Sequence, residues 1–143
     1  MSAAPAEAAA KPIPTPSILA EPFWDALKRG EFVLQRCTAC GHHNHPPKII
    51  CPKCHAQKLE WAAVARTGTL YSYTIVHRPP TAAFKADVPY AVGLVDVDGT
   101  GVRLLSSIVA PLDQVKVGMR LELVFDAVRE DFTLFRFRPV AGA

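Results

Sequence analysis

The chain of 143 residues lacks the segments that would place it in a membrane or outside the cell. No stretch approaches the run of about eighteen apolar residues that a membrane-spanning helix requires. The first residues, MSAAPAEAAAKPIPTPS, have neither the basic start nor the leucine-rich core of a secretory signal peptide. We therefore expect a cytoplasmic protein with no membrane partner.

Signatures of catalysis are also missing. Ser106 and Ser107 lie in a predicted strand rather than at a nucleophile elbow, and the DGTG stretch at 98–101 is typical of a hairpin turn rather than a phosphate-binding loop. His77 lies outside the cysteine-bearing region, and a carboxylate that would orient it as a base cannot be identified from the sequence. No catalytic residue is predicted, and we expect no chemistry from this chain alone.

Basic residues are not concentrated in the C-terminal half. The net charge is +3, with eight Lys or Arg and five Asp or Glu in residues 1–66, and eight of each kind in residues 67–143. Proteins that bind nucleic acid usually carry a basic stripe along the binding face. The charge balance therefore argues against a nucleic-acid partner.

All four cysteines lie in one stretch, CTACGHHNHPPKIICPKC at 37–54. They form two Cys-x-x-Cys pairs; each such turn directs two sulfurs toward one point, and two facing turns make a tetrahedral S4 site. Gly41 follows the first pair, where the turn needs a backbone without a side chain. Without an export signal a disulfide framework is disfavoured, and redox pairs rarely occur in twos. Iron is a chemical alternative to zinc, which is the commoner occupant.

Four thiolates would complete the tetrahedron and leave no open position for water, so the predicted zinc is structural, with one ion per chain. A module of this size has little core, and metal binding would provide most of its folding energy. The predicted ligands are Cys37, Cys40, Cys51 and Cys54. The neighbouring histidines are interpreted as polar loop residues: His42, His43, His45 and His55.

Outside the cysteine stretch, the pattern predicts one short helix and then strands. The helix, EPFWDALKR at 21–29, has Pro22 in its first turn, and Gly30 can end it. Its apolar face carries Phe23 and Trp24, and a helix this short must dock to be stable. Apolar or alternating segments predict strands at 32–36, 59–65, 68–76, 90–97, 102–109, 120–128 and 133–139.

The last five strands favour a small closed barrel, because closure removes exposed strand edges. Alternation in the first of them places Tyr71, Tyr73 and Ile75 on one face. The predicted fold is mainly β: an N-terminal helix, a rubredoxin-like four-cysteine zinc ribbon and a five-stranded OB-fold barrel. A small sandwich and an SH3-like barrel are alternatives. The predicted domains are a flexible tail at 1–17, the helix and ribbon at 18–62, and the OB-fold domain at 63–143.

The loop HRPPTAAFKADVPY at 77–90 is a candidate contact surface. It carries two cationic side chains and a phenylalanine among small residues, a combination suited to a protein partner or an anionic ligand. We expect the isolated chain to expose an apolar patch formed by the helix and this loop. The predicted contact residues are His77, Arg78, Phe84, Lys85, Phe23 and Trp24.

The order of these parts resembles a known family. FWDALKRGEFVLQRC precedes the four-cysteine stretch, and LEWAAVARTGTLYSYTIVHRP, VPYAVGLVDVDGTGVRLLSSI and VGMRLELVFD follow it. Over about residues 20–140 the chain is similar to the zinc-ribbon plus OB-fold acyl-CoA-associated proteins, long described only as a domain of unknown function. The GTLYSYTIVHRP stretch is the most telling part.

The resemblance implies a small accessory subunit that docks on a thiolase-like catalytic subunit in a hetero-oligomer. It implies that CoA or acyl-CoA is bound jointly with the partner, which would supply the catalytic cysteine and histidines. Thiolytic, retro-aldol or Claisen carbon–carbon chemistry is open, as is an aldolase or acyltransferase partner. One alternative is a single-stranded nucleic-acid-binding zinc-ribbon/OB module, with Tyr71 and Tyr73 stacking on bases. A stand-alone acyl-CoA carrier or sensor is the other.

Overall fold

The computed structural model describes residues 10–142. The helix and strands of this part of the chain are α1 (Glu21–Lys28), β1 (Val33–Cys37), β2 (His43–Asn44), β3 (Leu59–Ala63), β4 (Thr67–Val76), β5 (Tyr90–Val97), β6 (Arg103–Ile108), β7 (Arg120–Arg129) and β8 (Phe132–Pro139). The first three strands form an antiparallel sheet in the order β2-β1-β3, and the others close into a barrel in the order β4-β5-β6-β8-β7. The predicted fold class, a four-cysteine ribbon followed by a five-stranded OB-fold barrel, is confirmed.

The N-terminal residues were predicted to form a flexible tail at 1–17, and residues 1–9 of that range lie outside the described residues. Residues 10–17 have no regular secondary structure. They do contact the fold, because the Lys11 ammonium lies 2.5 Å from the Asp87 carboxylate. Within residues 10–142, no helix is long and apolar enough to cross a bilayer.

Strand β5 carries the regular part of the barrel core, with every second side chain buried. Gly93 is required at its centre, because a Cβ there would lie 2.6 Å from Leu70 Cδ1 and 3.0 Å from Ile108 Cγ1. The alternation predicted for β4 is wrong beyond Leu70. The register shifts between Leu70 and Ser72, and Tyr71 is the extra residue of a bulge. Tyr71 and Tyr73 are consequently both exposed.

Polar contacts fasten the first and last strands of the barrel to the β5–β6 turn. The Thr67 hydroxyl donates to Asp98 Oδ2 over 2.6 Å, and Arg120 Nη1 donates to Asp98 Oδ1 over 2.9 Å. These bonds, led by the Arg120 guanidinium, lower the pKa of Asp98 to about 2. Arg120 also donates to the Thr69 hydroxyl over 2.8 Å. One carboxylate thus links β4 and β7 where the barrel closes.

Helix α1 joins the ribbon to the barrel. Phe23 and Leu27 are each 1% exposed and belong to one hydrophobic cluster with residues of β1 and of the barrel. The Phe23 ring packs edge-on against Phe135 of β8, with centroids 5.8 Å apart. The Trp24 ring lies 4.9 Å from that of Phe132. The expectation that Phe23 is exposed is therefore wrong, because the short helix needs this face to dock on β8.

We predict that Phe23→Ala lowers the free energy of unfolding by about 3–5 kcal/mol, since a buried ring leaves a cavity at the junction. Urea unfolding of the zinc-loaded protein measures this change. Ile18→Ala is the control: that side chain is 84% exposed just before the helix, and its loss should change stability by less than about 0.5 kcal/mol. A loss below about 1 kcal/mol for Phe23→Ala would contradict the role given to α1.

Candidate metal centre and binding groove

The four cysteines converge at one end of the ribbon sheet. Their sulfur atoms all lie within 4.8 Å of one another, with Cys37 to Cys54 and Cys40 to Cys51 each at 3.6 Å. Cys37 and Cys51 are buried, whereas Cys54 is exposed. A tetrahedral zinc ion with bonds of about 2.3 Å needs sulfur–sulfur edges of about 3.8 Å. The site fits Zn2+ of the structural kind, with four thiolates and no position for a reacting water.

The protons on the clustered thiols oppose one another. Burial raises the pKa of the Cys51 thiol, but the N–H groups of Cys54 and Lys53 and the neighbouring sulfurs outweigh it, so that the pKa falls to about 7. The Ala56 N–H lowers the pKa of Cys54, yet the hydrogen bonds with Cys40 and the other thiols raise it to about 12. One thiol can therefore ionise near neutral pH, and a metal ion must displace the other protons.

The two cysteine turns repeat the same backbone pattern. The Gly41 N–H donates to Cys37 O over 2.8 Å, and the His55 N–H donates to Cys51 O over 2.9 Å. Both residues are in the left-handed region, with φ of +77° at Gly41 and +62° at His55. Only the first turn has the glycine that this conformation favours. The sequence indicated the special backbone at Gly41 but gave no sign of it at His55.

A buried amide holds the loop between the two turns. Gln35 Nε2 donates to Lys48 O over 2.9 Å, and the Lys48 N–H donates to Gln35 Oε1 over 2.7 Å. This side chain, 7% exposed, therefore satisfies both backbone groups of a residue that belongs to no strand. The second cysteine turn is held by the ribbon sheet as well as by the metal site.

A groove opens where the barrel is least tightly paired. The parallel strands β6 and β8 share one paired position, Ile108 opposite Phe137. Beside it lies a cavity of about 1280 Å3, lined by residues 105–112 on one side and 134–136 on the other. Its remaining walls include Ala10, Lys11, Pro12, Ile13, Trp24, His45, Phe84, Asp87 and Tyr90. The incomplete ladder thus leaves a mainly apolar groove between barrel, helix, ribbon and loop.

His45 is the titratable side chain that joins the ribbon to this groove. Its ring lies 5.1 Å from that of Phe23. Burial lowers the pKa of His45 from the ordinary value of 6.5, so the imidazole is neutral at pH 7. The sequence interpretation as a polar loop residue missed this position, because nothing in the local pattern shows that the loop folds back onto α1.

The predicted contact residues divide into three groups. Trp24 and Phe84 line the groove, and Phe23 lies buried behind it. Phe84 is half-buried against Tyr90, with ring centroids 6.3 Å apart. The other three, His77, Arg78 and Lys85, are exposed on the loop and do not line the groove.

Comparison with known proteins agrees with this architecture. The profile of "ChsH2, rubredoxin-like zinc ribbon domain" matches residues 24–60, and that of "ChsH2, C-terminal OB-fold domain" matches residues 61–126. A "DUF35 domain-containing scaffold protein" from Methanothermobacter thermautotrophicus is 37% identical over 98 residues, which are 67% of this chain and 72% of that protein. The chain belongs to the ChsH2/DUF35 family of zinc-ribbon and OB-fold proteins.

Two further relatives of this ChsH2/DUF35 chain carry enzyme names. A solved structure titled "Ltp2-ChsH2(DUF35) aldolase" is 34% identical, with a TM-score of 0.80, and the match covers 89% of this chain and 98% of that one. A "Probable enoyl-CoA hydratase alpha subunit" from Thermomonospora curvata is 39% identical over 120 residues, covering 82% of this chain. The chain spans about a third, 36%, of the length of that relative.

We predict opposite effects from exchanging the residues that follow the two cysteine turns. His55→Gly should stabilise the zinc-loaded protein by up to about 1 kcal/mol, because glycine adopts positive φ without steric cost. Gly41→Ala should destabilise it by about 1–2 kcal/mol for the same reason. Urea unfolding at fixed zinc concentration measures both changes. A destabilised His55→Gly variant would show instead that the imidazole itself supports the turn.

His45 should make stability depend on pH. The unfolded chain takes up a proton near pH 6.5, whereas the folded chain does so only at lower pH, so stability falls as the pH drops below about 6.5. The slope attributable to one proton is at most about 1.4 kcal/mol per pH unit. His45→Phe keeps a ring against Phe23 and should flatten the curve between pH 7.5 and 5.5. Zinc content, measured at each pH, separates this effect from metal loss; an unchanged slope would contradict it.

Proposed function

We propose that this chain is a non-catalytic subunit that docks on a thiolase-like catalytic subunit and helps to bind an acyl-CoA. The observation that carries the proposal is the groove at the β6–β8 seam, an apolar channel beside a loop with uncompensated positive charge. The titles of relatives name an aldolase complex and an enoyl-CoA hydratase subunit, and both point to CoA-thioester metabolism. The scaffold name of another relative supports an assembly role.

Charge pairing in the barrel half supports an anion site at the loop. Five of its arginines, Arg103, Arg120, Arg129, Arg136 and Arg138, are each paired with a carboxylate. Among residues 10–142, neither Arg78 nor Lys85 has a carboxylate within 4.0 Å. These two side chains remain available for the phosphates of CoA, while the pantetheine arm or acyl group occupies the apolar groove.

The division of labour follows from the side chains that this chain can offer. Its four thiols lie together at the metal site, so a nucleophilic cysteine has to come from the partner. In thiolysis the partner's thiolate would attack the β-keto acyl-CoA, the carbon–carbon bond would break, and free CoA would then take up the acyl group. A retro-aldol or acyltransferase partner would use the same docking and binding roles, with a structural zinc maintaining the ribbon.

The alternative function is single-stranded nucleic-acid binding on the exposed face of β4 to β6. The Arg103 guanidinium lies 3.3 Å from the centroid of the Tyr71 ring, as in a stacking platform. However, Arg103 donates to both Asp96 oxygens, over 2.6 and 3.1 Å, so its charge is already compensated. This pairing disfavours contact with phosphate and makes the alternative the weaker one.

We predict that the tagged protein, purified from its native host at near-physiological salt, carries a stoichiometric thiolase-like chain identifiable by mass spectrometry. The expected partner follows from the absence of a nucleophile available outside the metal site in the described residues. Recovery of the chain alone would contradict the proposal, and recovery with nuclease-sensitive material would favour the alternative.

The acyl-CoA role is tested on the purified complex by calorimetry with acetoacetyl-CoA. Reversing both loop charges, Arg78→Glu with Lys85→Glu, should weaken binding at least about tenfold, because each charge-assisted contact to phosphate contributes more than 1 kcal/mol. Lys58→Glu with Lys116→Glu makes the same change in net charge at exposed sites outside the loop. Equal losses in the two double variants would contradict a CoA site at the loop.

A further inference from the structure

The segment before α1 lies across the opening of the groove. Residues 10–13 form part of the groove wall, and Pro14, Thr15 and Pro16 lie beside Trp24 and Phe132 of the joint between helix and barrel. The segment has no regular secondary structure, and its three prolines prevent it from adding a regular strand to the barrel. It reaches the groove as an extended strap.

The strap is fastened to the far side of the groove at one residue. Lys11 Nζ lies 2.5 Å from Asp87 Oδ2 and 5.7 Å from the centroid of the Phe84 ring. Asp87 and Phe84 belong to the 77–90 loop, which forms the opposite wall. Lys11 therefore bridges the groove, and we name its contacts with Asp87 and Phe84 the Lys11 latch.

The strap is held weakly enough to be displaced. The side chains of Lys11 and Asp87 are 49% and 36% exposed, and ion pairs this exposed contribute about 0.2–1 kcal/mol. Of residues 10–16, only Ile13 and Pro16 are partly buried. The closed arrangement is thus favoured by a small margin, and a ligand or partner segment that binds the open groove can shift it.

We propose that residues 10–16 are an autoinhibitory strap, which covers the β6–β8 groove in the isolated chain and leaves it when the groove is filled. The proposal rests on the proposed function only for the identity of the ligand. The strap lowers the apparent affinity of the groove by the fraction of molecules that are closed. It also couples the position of the 77–90 loop to occupancy of the groove, because Lys11 holds Asp87 only when closed.

Two measurements on the zinc-loaded chain alone test the strap without acyl-CoA or a partner. The first is the affinity for Nile red, an apolar probe whose neutrality makes it insensitive to the charge changes below. The second is hydrogen exchange at the loop amides of Phe84, Lys85 and Asp87, which donate within the turn to Thr81, Ala82 and Phe84. Deletion of residues 1–16 retains Ser17, whose carbonyl accepts from the first turn of the helix.

The deletion should raise both Nile red affinity and loop exchange. Lys11→Asp should raise Nile red affinity by up to about fivefold, the equivalent of one exposed ion pair. Lys11→Asp combined with Asp87→Lys restores the attraction and should return both readings toward those of the unchanged chain. Lys58→Asp controls for net charge at an exposed site outside the groove.

A deletion that leaves affinity and exchange unchanged would overturn the strap. A reversed pair that behaves like Lys11→Asp alone would overturn the latch. Should the deletion variant fold poorly, Ile13→Asp tests the same contact, because a charge at this partly buried position should release the strap. Failure of acetoacetyl-CoA to bind the complex, by contrast, would concern only the ligand.

Discussion

The structure depends on the packing of one short helix between two small modules. The cysteine ribbon offers few apolar side chains, and the barrel is open at the seam between β6 and β8. Phe23 and Leu27 close both deficits, since they join the ribbon residues Phe32 and Leu34 and the barrel residues in one hydrophobic cluster. Arg66 reinforces the junction by donating to Gly30 O over 2.7 Å. Ribbon and barrel therefore share a core, and the groove lies at their junction.

Local patterns in the sequence were sufficient for the elements and the metal site. Two Cys-x-x-Cys turns specify an S4 cluster because the chemistry is contained in the turn itself. Strands β5 and β8 could be predicted to within one residue, since their alternation is set by burial on one face. The bulge at Tyr71 could not, because it depends on how β4 meets β5 and on the space beside Gly93.

The groove could not be predicted because it is made by residues far apart in the sequence. Trp24, His45, Phe84 and Leu105 come from a helix, a ribbon loop, a barrel loop and a strand, and no one of them is unusual locally. For the same reason Phe23 was expected at the surface, since a helical pattern shows which face is apolar and not what covers it. The pairing of the barrel arginines is equally a property of strand register, although the even charge balance of residues 67–143 anticipated it.

The single paired position between β6 and β8 also bears on how relatives can diverge. A fully hydrogen-bonded ladder would tie the lengths of both strands and of residues 109–119, which connect β6 to β7, because an added residue would shift every later pair. At this seam one pair, Ile108 with Phe137, sets the register. Insertions on either side of it enlarge or narrow the groove without refolding the barrel. The same scaffold can therefore accept differently shaped occupants through changes in loop length, while its metal site and core remain as they are.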